Sequence, residues 1–218
     1  VVKEDGEFVN SEMDKFVNTK LMDSDFSKSN LEDTNFSNSN LTRIDLNSSQ
    51  LSNSSFKGVD LTLSSLQKIT GENVNFSLAQ MSKIDLSDSQ ITKSKFVKSN
   101  LSRSNFKNAD LSQSLLESSE FDGSNFENSK LLDLKAKKVN FLNCNFSNAD
   151  LTNSIFKKSD FLGSKFEGTI LHNVSFKGSK LNDVDLSKAK LCKTTLSNGK
   201  IDNRDCEEGK KIEEIKSE

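Results

Sequence analysis

Large apolar residues recur along this chain at every fifth position. From Phe16 the series runs Leu21, Phe26, Leu31, Phe36, Leu41 and onward to Ile201. Of these 38 positions, 15 are Phe, 18 are Leu, two are Ile and one is Met; only Gly71 and Ala136 depart. Two residues before each centre sits a second constrained position, small or β-branched almost throughout: Ser24, Ser29, Thr34, Ser39, Ile44, and later Ala109, Cys144 and Ala149. The positions between are polar. A period of five matches neither a helix nor a continuous strand. The small residue and the centre lie two apart, so both face one side of a short extended segment, and the other three residues face outward and include a bend. A short strand followed by a corner, repeated, gives a coil with an apolar interior.

The distribution of phenylalanine predicts how many corners make a turn. Sorted by every twentieth residue, the centres hold Phe at seven of ten, three of ten, five of nine and none of nine positions, whereas sorting by fifteen gives five, five and five. Like stacks on like only if four units make a coil. The cross-section is therefore a square of twenty residues, and nine coils at ~4.8 Å each make a rod of about 45 Å. Gly71 and Ala136 are expected to leave space in their stacks, as weak points or as bulges.

The units "ADLSQ", "SNLSR", "ADLTN" and "SDFLG" resemble the pentapeptide-repeat family: a small residue, Asp or Asn, Leu or Phe, then two polar residues. The resemblance spans roughly residues 16–203 and implies an all-β fold, a right-handed quadrilateral β-helix. Residues 1–15 read as an N-terminal cap, with Ser11 at a helix N-cap, Asp14 three residues on, and Phe8, Val9, Met13 and Val17 lying across the first coil. Residues 204–218 read as a C-terminal cap or tail, with Ile212 and Ile215 on one side of a short helix. Capping rather than dimerisation is the expected use of both ends, so the chain reads as a monomer or weak dimer.

Asn198-Gly199 is a two-residue hairpin signal, with Cys192 and Cys206 on either side of it. The stretch is similar to the closing segment of cyanobacterial and chloroplast-lumen family members, with Ser197 in place of their usual Pro. That similarity implies a Cys192–Cys206 disulfide and an oxidising compartment, a thylakoid lumen or periplasm in preference to the cytoplasm. The residues themselves leave two free thiols as the other reading. Cys144 occupies an inward small-residue position.

Composition alone points toward disorder: hydrophobic residues are 33% of 218 and charged residues 28%. The period reverses that reading, because 15 of the 16 Phe residues fall on the inward position. The longest apolar runs are far too short for a transmembrane helix. No cationic, apolar leader opens the sequence. Converging catalytic groups are not expected either. His172 is the single histidine, on an outward position, and Gly58, Gly123, Gly163, Gly168 and Gly178 occur singly at one corner position instead of in a phosphate-cradling loop. The sequence therefore predicts no enzyme, no cofactor, no metal site and no small-molecule substrate.

The net charge of −2 conceals an asymmetry. Residues 1–15 and 205–218 each sum to −3, leaving +4 on residues 16–204. Three sides of the square sum to −1, −2 and −2. From residue 34 onward the Phe-rich side carries Lys57, Lys95, Lys98, Lys135, Lys137, Lys138, Lys157, Lys158 and Lys177 against Glu117 alone, a sum of +8. A stripe of one sign on a rigid ladder attracts an anionic surface: an acidic protein, lipid headgroups or nucleic acid. The bland alternative is a solvated face in a Lys-rich chain. The expected function is a protein-binding or structural scaffold with this face as its contact surface. The alternatives are a secreted or effector-type binding module, and the gyrase-directed DNA mimicry known in the resembled family, which needs a strongly negative rod.

Overall fold

A computed structural model of the chain describes residues 15–206. The expected caps at 1–15 and 204–218 fall almost wholly outside these residues, as do Phe8, Ser11, Asp14, Ile212 and Ile215.

The backbone is a parallel β-solenoid. Bridges pair each coil with the next at a constant offset of twenty residues, from Lys15 with Asn35 to Ser175 with Thr195, which makes nine turns. Four of the five N–H groups in a unit are accounted for by a repeating scheme. In the coil at Phe36, three backbone bonds run between coils: Phe36 N–H to the Ser55 carbonyl (2.8 Å), Asn38 to Lys57 (2.8 Å) and Ser55 to Thr34 (2.9 Å). A fourth closes the corner, from Ser39 N–H to the Phe36 carbonyl (3.1 Å). Where the residue before the centre is Asp or Asn, its side-chain oxygen commonly accepts the N–H two residues on, as Asp45 does from Asn47 at 2.8 Å.

The corners carry a constraint that composition hides. The second residue after the centre is left-handed in nearly every unit, with φ near +60° at thirty non-glycine residues as well as at the five corner glycines. At Gly58, Gly163 and Gly168 the missing Cβ also makes room for an Asn side chain one coil below, whose Oδ1 stands within 2.5 Å of where a Cβ would lie.

Inside, the centres stack as predicted. Phe16, Phe36, Phe56, Phe76 and Phe96 form one ladder with ring centroids 4.9–5.3 Å apart. A second ladder, Phe106, Phe126, Phe146 and Phe166, is spaced 4.8–5.1 Å. The first ladder is interrupted at Leu116 and Ala136, and there the neighbouring side supplies rings. Phe96 meets Phe121 edge-on at 6.4 Å, Phe121 stacks on Phe141 at 5.4 Å, and Phe141 meets Phe156 edge-on at 5.9 Å. The aromatic column thus steps around the small residue, and Ala136 is fully buried.

Gly71 is not a void. A Cβ there would lie 2.8 Å from Val74 Cγ2 and 3.1 Å from the Leu51 carbonyl carbon, so Val74 and Leu51 already fill the place of the missing side chain. The inward serines sit beside the centres and are satisfied: Ser99, Ser104 and Ser124 donate to the carbonyls of Phe76, Met81 and Leu101 at 2.8–3.0 Å. This is why a position facing the core tolerates a hydroxyl.

Longer strands appear in two places. β1 (Thr70–Glu72) pairs with β2 (Gln90–Thr92), and β3 (Lys95–Val97), β4 (Leu115–Glu117), β5 (Lys135–Lys137) and β6 (Ile155–Lys157) form one parallel sheet in that order. All six start on a residue other than Asp or Asn, so the side-chain bond that tightens the corner is missing. In these coils the N–H of the small residue turns to a serine hydroxyl one coil on, from Ser99 to Ser119 and from Val139 to Ser159, both at 3.2 Å.

The rod is closed at its C-terminal end by β7 (Thr194–Thr195) and β8 (Ile201–Asp202), which pair antiparallel. The turn is three residues long, not two: Leu196 N–H bonds the Lys200 carbonyl (2.8 Å), and Gly199 alone of the turn residues has positive φ, at 84°. A two-residue turn of the favoured kind would need a left-handed Asn198 as well. The hairpin also ends the lattice at Leu196. Ile201 falls on the five-residue count but sits on β8 and is 64% exposed, so it is not a core residue.

Candidate functional site: a lysine-lined parallel sheet

The four-stranded sheet β3–β6 is the Phe-rich side of the rod, and the register stacks its outward residues in columns. Lys95, Leu115, Lys135 and Ile155 form one column; Val97, Glu117, Lys137 and Lys157 form the other. Lys98, Ser118, Lys138 and Lys158 follow at the left-handed corner, with φ of 54–55°. Alternation along each strand explains the arrangement: the centres Phe96, Leu116, Ala136 and Phe156 face in, so the residues on both flanks face out. Seven of the nine lysines singled out from the sequence, Lys95 to Lys158, are thus brought onto one continuous patch. Lys57 and Lys177 belong to the same side, two coils before and one coil after the sheet.

These side chains are largely unpaired. Lys137 bonds Glu117 at 2.9 Å. Among the described residues the other eight make no ion pair. Elsewhere some cations pair with an acid about one coil away, as in Arg43–Asp23 (2.5 Å), Lys93–Glu72 (2.8 Å), Lys107–Glu127 (3.1 Å) and Lys180–Asp160 (2.8 Å). Others, Lys68, Lys83 and Lys130 among them, make no ion pair among the described residues. What sets the Phe-rich side apart is that from residue 34 onward it holds one acid for nine lysines. Glu117 registers the local field. The hydrogen bond and charge of Lys137, with Lys138 and Lys98 further off, hold its carboxyl below the usual glutamate value.

The sheet is not flat. An apolar hollow of about 270 Å³ lies over Ala136, between Leu115 and Ile155, with the stems of Lys135, Lys137 and Lys157 around it. It adjoins a hollow of about 490 Å³ at the next corner, where Lys93, Gln113, Asp133 and Asn153 meet the same Lys135 and Ile155. The sequence marks the lysines but not these hollows. The twenty-residue turn puts Leu115 and Ile155 two rungs apart in one column, but it does not show that space opens between them.

The other sequence candidates lie apart from this patch. Cys192 and Cys206 are disulfide-bonded, with Cα atoms 4.6 Å apart, at the C-terminal end. Cys144 is buried, its thiol pushed well above the ordinary range by desolvation, and its sulfur contacts the Phe121 carbonyl at 3.0 Å. His172 sits singly on another side of the rod. Among the described residues no three His, Cys, Asp or Glu side chains are grouped as a metal ion requires.

The five-residue unit, the square coil and the inward Leu/Phe ladder match the sequence model of pentapeptide repeats in eight copies, over residues 29–67, 72–108, 94–131, 137–173 and 159–198. The chain belongs to the pentapeptide repeat family. Solved structures similar to this pentapeptide repeat protein include HetL of the cyanobacterium Nostoc, a member involved in heterocyst differentiation regulation (18% identity, 85% of this chain, 92% of that one, TM-score 0.42). A member from the Arabidopsis thaliana thylakoid lumen is 26% identical over 44% of this chain and 66% of its own, with a TM-score of 0.43. QnrB1, a plasmid-mediated fluoroquinolone resistance protein, is 16% identical over 87% of this chain and 86% of its own, with a TM-score of 0.48. Among curated proteins none matches the chain. Proteins of this family are generally non-catalytic structural or binding scaffolds. Among the described residues no helix is long and apolar enough to cross a membrane.

Proposed function

We propose that this pentapeptide repeat protein is a non-catalytic binding scaffold that presents its lysine side to an acidic protein surface. The observation that carries the reading is the concentration of nine lysines against Glu117 alone on one side of the rod from residue 34 onward, seven of them on one four-stranded sheet and its corner. Like charges one rung apart, about 5 Å, repel by roughly 0.8 kcal/mol in water. The folded rod holds several such contacts with no internal compensation, and an anionic partner relieves them. Rigidity adds to this, because the ladder fixes the spacing of the charges before binding and little order is lost on association. The Cys192–Cys206 bond supports an oxidising compartment for the encounter.

The test is charge reversal at Lys135, Lys137, Lys138, Lys157 and Lys158, all to Glu, which takes the side from +8 to −2. Affinity for poly-L-glutamate, read by fluorescence anisotropy at low salt, is expected to fall by more than tenfold. A control variant reversing Lys68, Lys83, Lys130, Lys165 and Lys190 on the other sides is expected to change it less than threefold. Equal losses in the two variants would make the attraction a property of net charge and remove the face from the account. DNA mimicry is disfavoured by the +4 sum of residues 16–204, and a gyrase supercoiling assay is expected to show no inhibition or protection.

A further inference from the structure

We infer that the lysine side recognises an acidic polypeptide segment by one aliphatic or aromatic side chain seated between Leu115 and Ile155. This rests on the reading that the lysine side is the contact surface, and it adds what selects among acidic partners.

The argument starts from a column of residues with no structural reason to be apolar. The position before the centre on this side runs Asn35, Ser55, Asn75, Lys95, Leu115, Lys135, Ile155, Ser175 and Thr195. It faces outward in every coil. Where it is Asn, as at Asn35 and Asn75, its side chain accepts the N–H two residues on, at 3.0 and 3.1 Å. Leu115 and Ile155 make no such bond and cannot reach the core. Leu115 is half-buried against its neighbours, and Ile155 remains 38% exposed. They stand two rungs apart, about 10 Å, with the stem of Lys135 between them. The floor of the resulting hollow is Ala136, the one small centre in the Phe-rich stack. The two departures from the repeat, an alanine inside and aliphatics outside, thus fall at one place.

That place is ringed by cations. Lys135, Lys137 and Lys157 line the hollow together with one acid, Glu117, which Lys137 pairs at 2.9 Å. Lys138 and Lys158 stand at the corner beside it, so the cations outnumber the acid five to one. A side chain entering the hollow is brought there by carboxylates on its flanks, and a long Lys stem covers apolar surface while its ammonium meets the carboxylate. The shape argues against the other anionic partners. A nucleic-acid backbone offers regular phosphates and nothing to fill a hollow lined by Leu, Ala and Ile, so it would use the lysines and ignore the aliphatics. A lipid surface needs several protruding apolar groups, and on this sheet Ile155 is the one exposed large apolar residue, Leu115 being half-buried. A polypeptide supplies both chemistries within a few residues.

The experiment uses two short labelled peptides, one of alternating Glu and Ser and one identical except for a central Leu. Anisotropy titrations at low salt measure their affinities for the wild-type chain, for Leu115→Ser/Ile155→Ser, for Ile155→Ser alone and for the five-lysine reversal. The Leu peptide is expected to bind the wild type at least about tenfold more tightly than its polar twin. That advantage should shrink below threefold in the double variant and by an intermediate amount in Ile155→Ser, a change at an exposed position that leaves the coil intact. Both peptides should lose binding to the lysine reversal. An undiminished advantage in both serine variants, or no advantage in the wild type, overturns the anchor while leaving the contact surface standing. Full binding of both peptides to the lysine reversal overturns the contact surface itself. Tighter binding of duplex DNA or of phosphatidylserine vesicles than of the Leu peptide, unchanged in the double variant, also overturns the inference.

Discussion

At the scale of single residues, the fold asks most of its corners. A left-handed backbone costs a side chain bearing a Cβ roughly 1–2 kcal/mol, and less for Asn and Asp, whose side chains bond locally. Asn and Asp accordingly hold many of these corners, but Leu63 and Leu78 hold two, with φ of 61° and 63°. Leu63 is 75% exposed, so packing returns little. Leu63→Asn is expected to raise stability by about 1 kcal/mol, read as a higher denaturation midpoint with an unchanged slope. The Asx residues make a second prediction. The Ser27 and Ser187 groups that bond the carboxyls of Asp25 and Asp185 hold them below the ordinary value of 3.8. Carboxyls depressed in the fold stabilise it fully above the unfolded value and lose that contribution as pH falls through the folded one. The thermal midpoint should therefore hold level from neutral pH down to about the unfolded value and drop below it; a flat profile to strong acid would contradict this. The inward positions were legible in the sequence because their chemistry is apolar. The corner φ leaves a trace in the sequence at Gly, Asn and Asp, but Lys, Arg and Leu give no sign that they will accept a left-handed backbone.

Among the elements, two positions turn out differently from their reading in the sequence: Gly71, which departs from the repeat, and Ile201, which keeps its count. Gly71 looks like a missing side chain, yet Val74 and Leu51 occupy its space. Gly71→Leu should therefore destabilise the rod by about 1–3 kcal/mol through overpacking, where a true void would have gained stability; chemical denaturation decides the sign. The periodic count carries through to Ile201, but that residue belongs to a strand running the other way. The count cannot see this, since nothing in a five-residue period reports strand direction. The hairpin was placed correctly by Asn198-Gly199, although the turn length depends on backbone angles that the dipeptide leaves open. The closing strand is tied down by more than its pairing. Asp205 accepts from Leu191 N–H (2.9 Å), Asn203 from Lys193 N–H (2.9 Å), and Arg204 donates to the Leu186 carbonyl. The disulfide closes a chain separation of 14 residues over the same end, worth about 3 kcal/mol for a loop of this length. Cys192→Ser/Cys206→Ser should speed hydrogen exchange in residues 186–202 and leave the coils from 76 to 166 unchanged. Uniform acceleration along the rod would show that the end is coupled to the whole and not a local clamp.

For the whole molecule, the twenty-residue turn converts a linear pattern into four independent surfaces, and it does so without a globular core. Sorting the sequence by that turn was enough to find the charged side, because formal charge adds along a column whatever the side-chain conformations. It did not reveal that the charged stretch coincides with the four-stranded sheet, which depends on corner hydrogen bonds, nor the hollow over Ala136, which depends on how the stacked outward side chains lie and not only on which ones stack. Charges spaced by a rigid ladder predict a steep salt dependence: affinity for an acidic partner should fall by an order of magnitude or more once the screening length drops below about 8 Å.

The most direct test of the account is an amide chemical-shift map of the intact chain titrated with poly-L-glutamate at low salt. The account predicts perturbations concentrated in residues 95–98, 115–118, 135–138 and 155–158, in step with one another every twenty residues. Perturbations spread over all four sides, or centred on a side without the lysines, would contradict it.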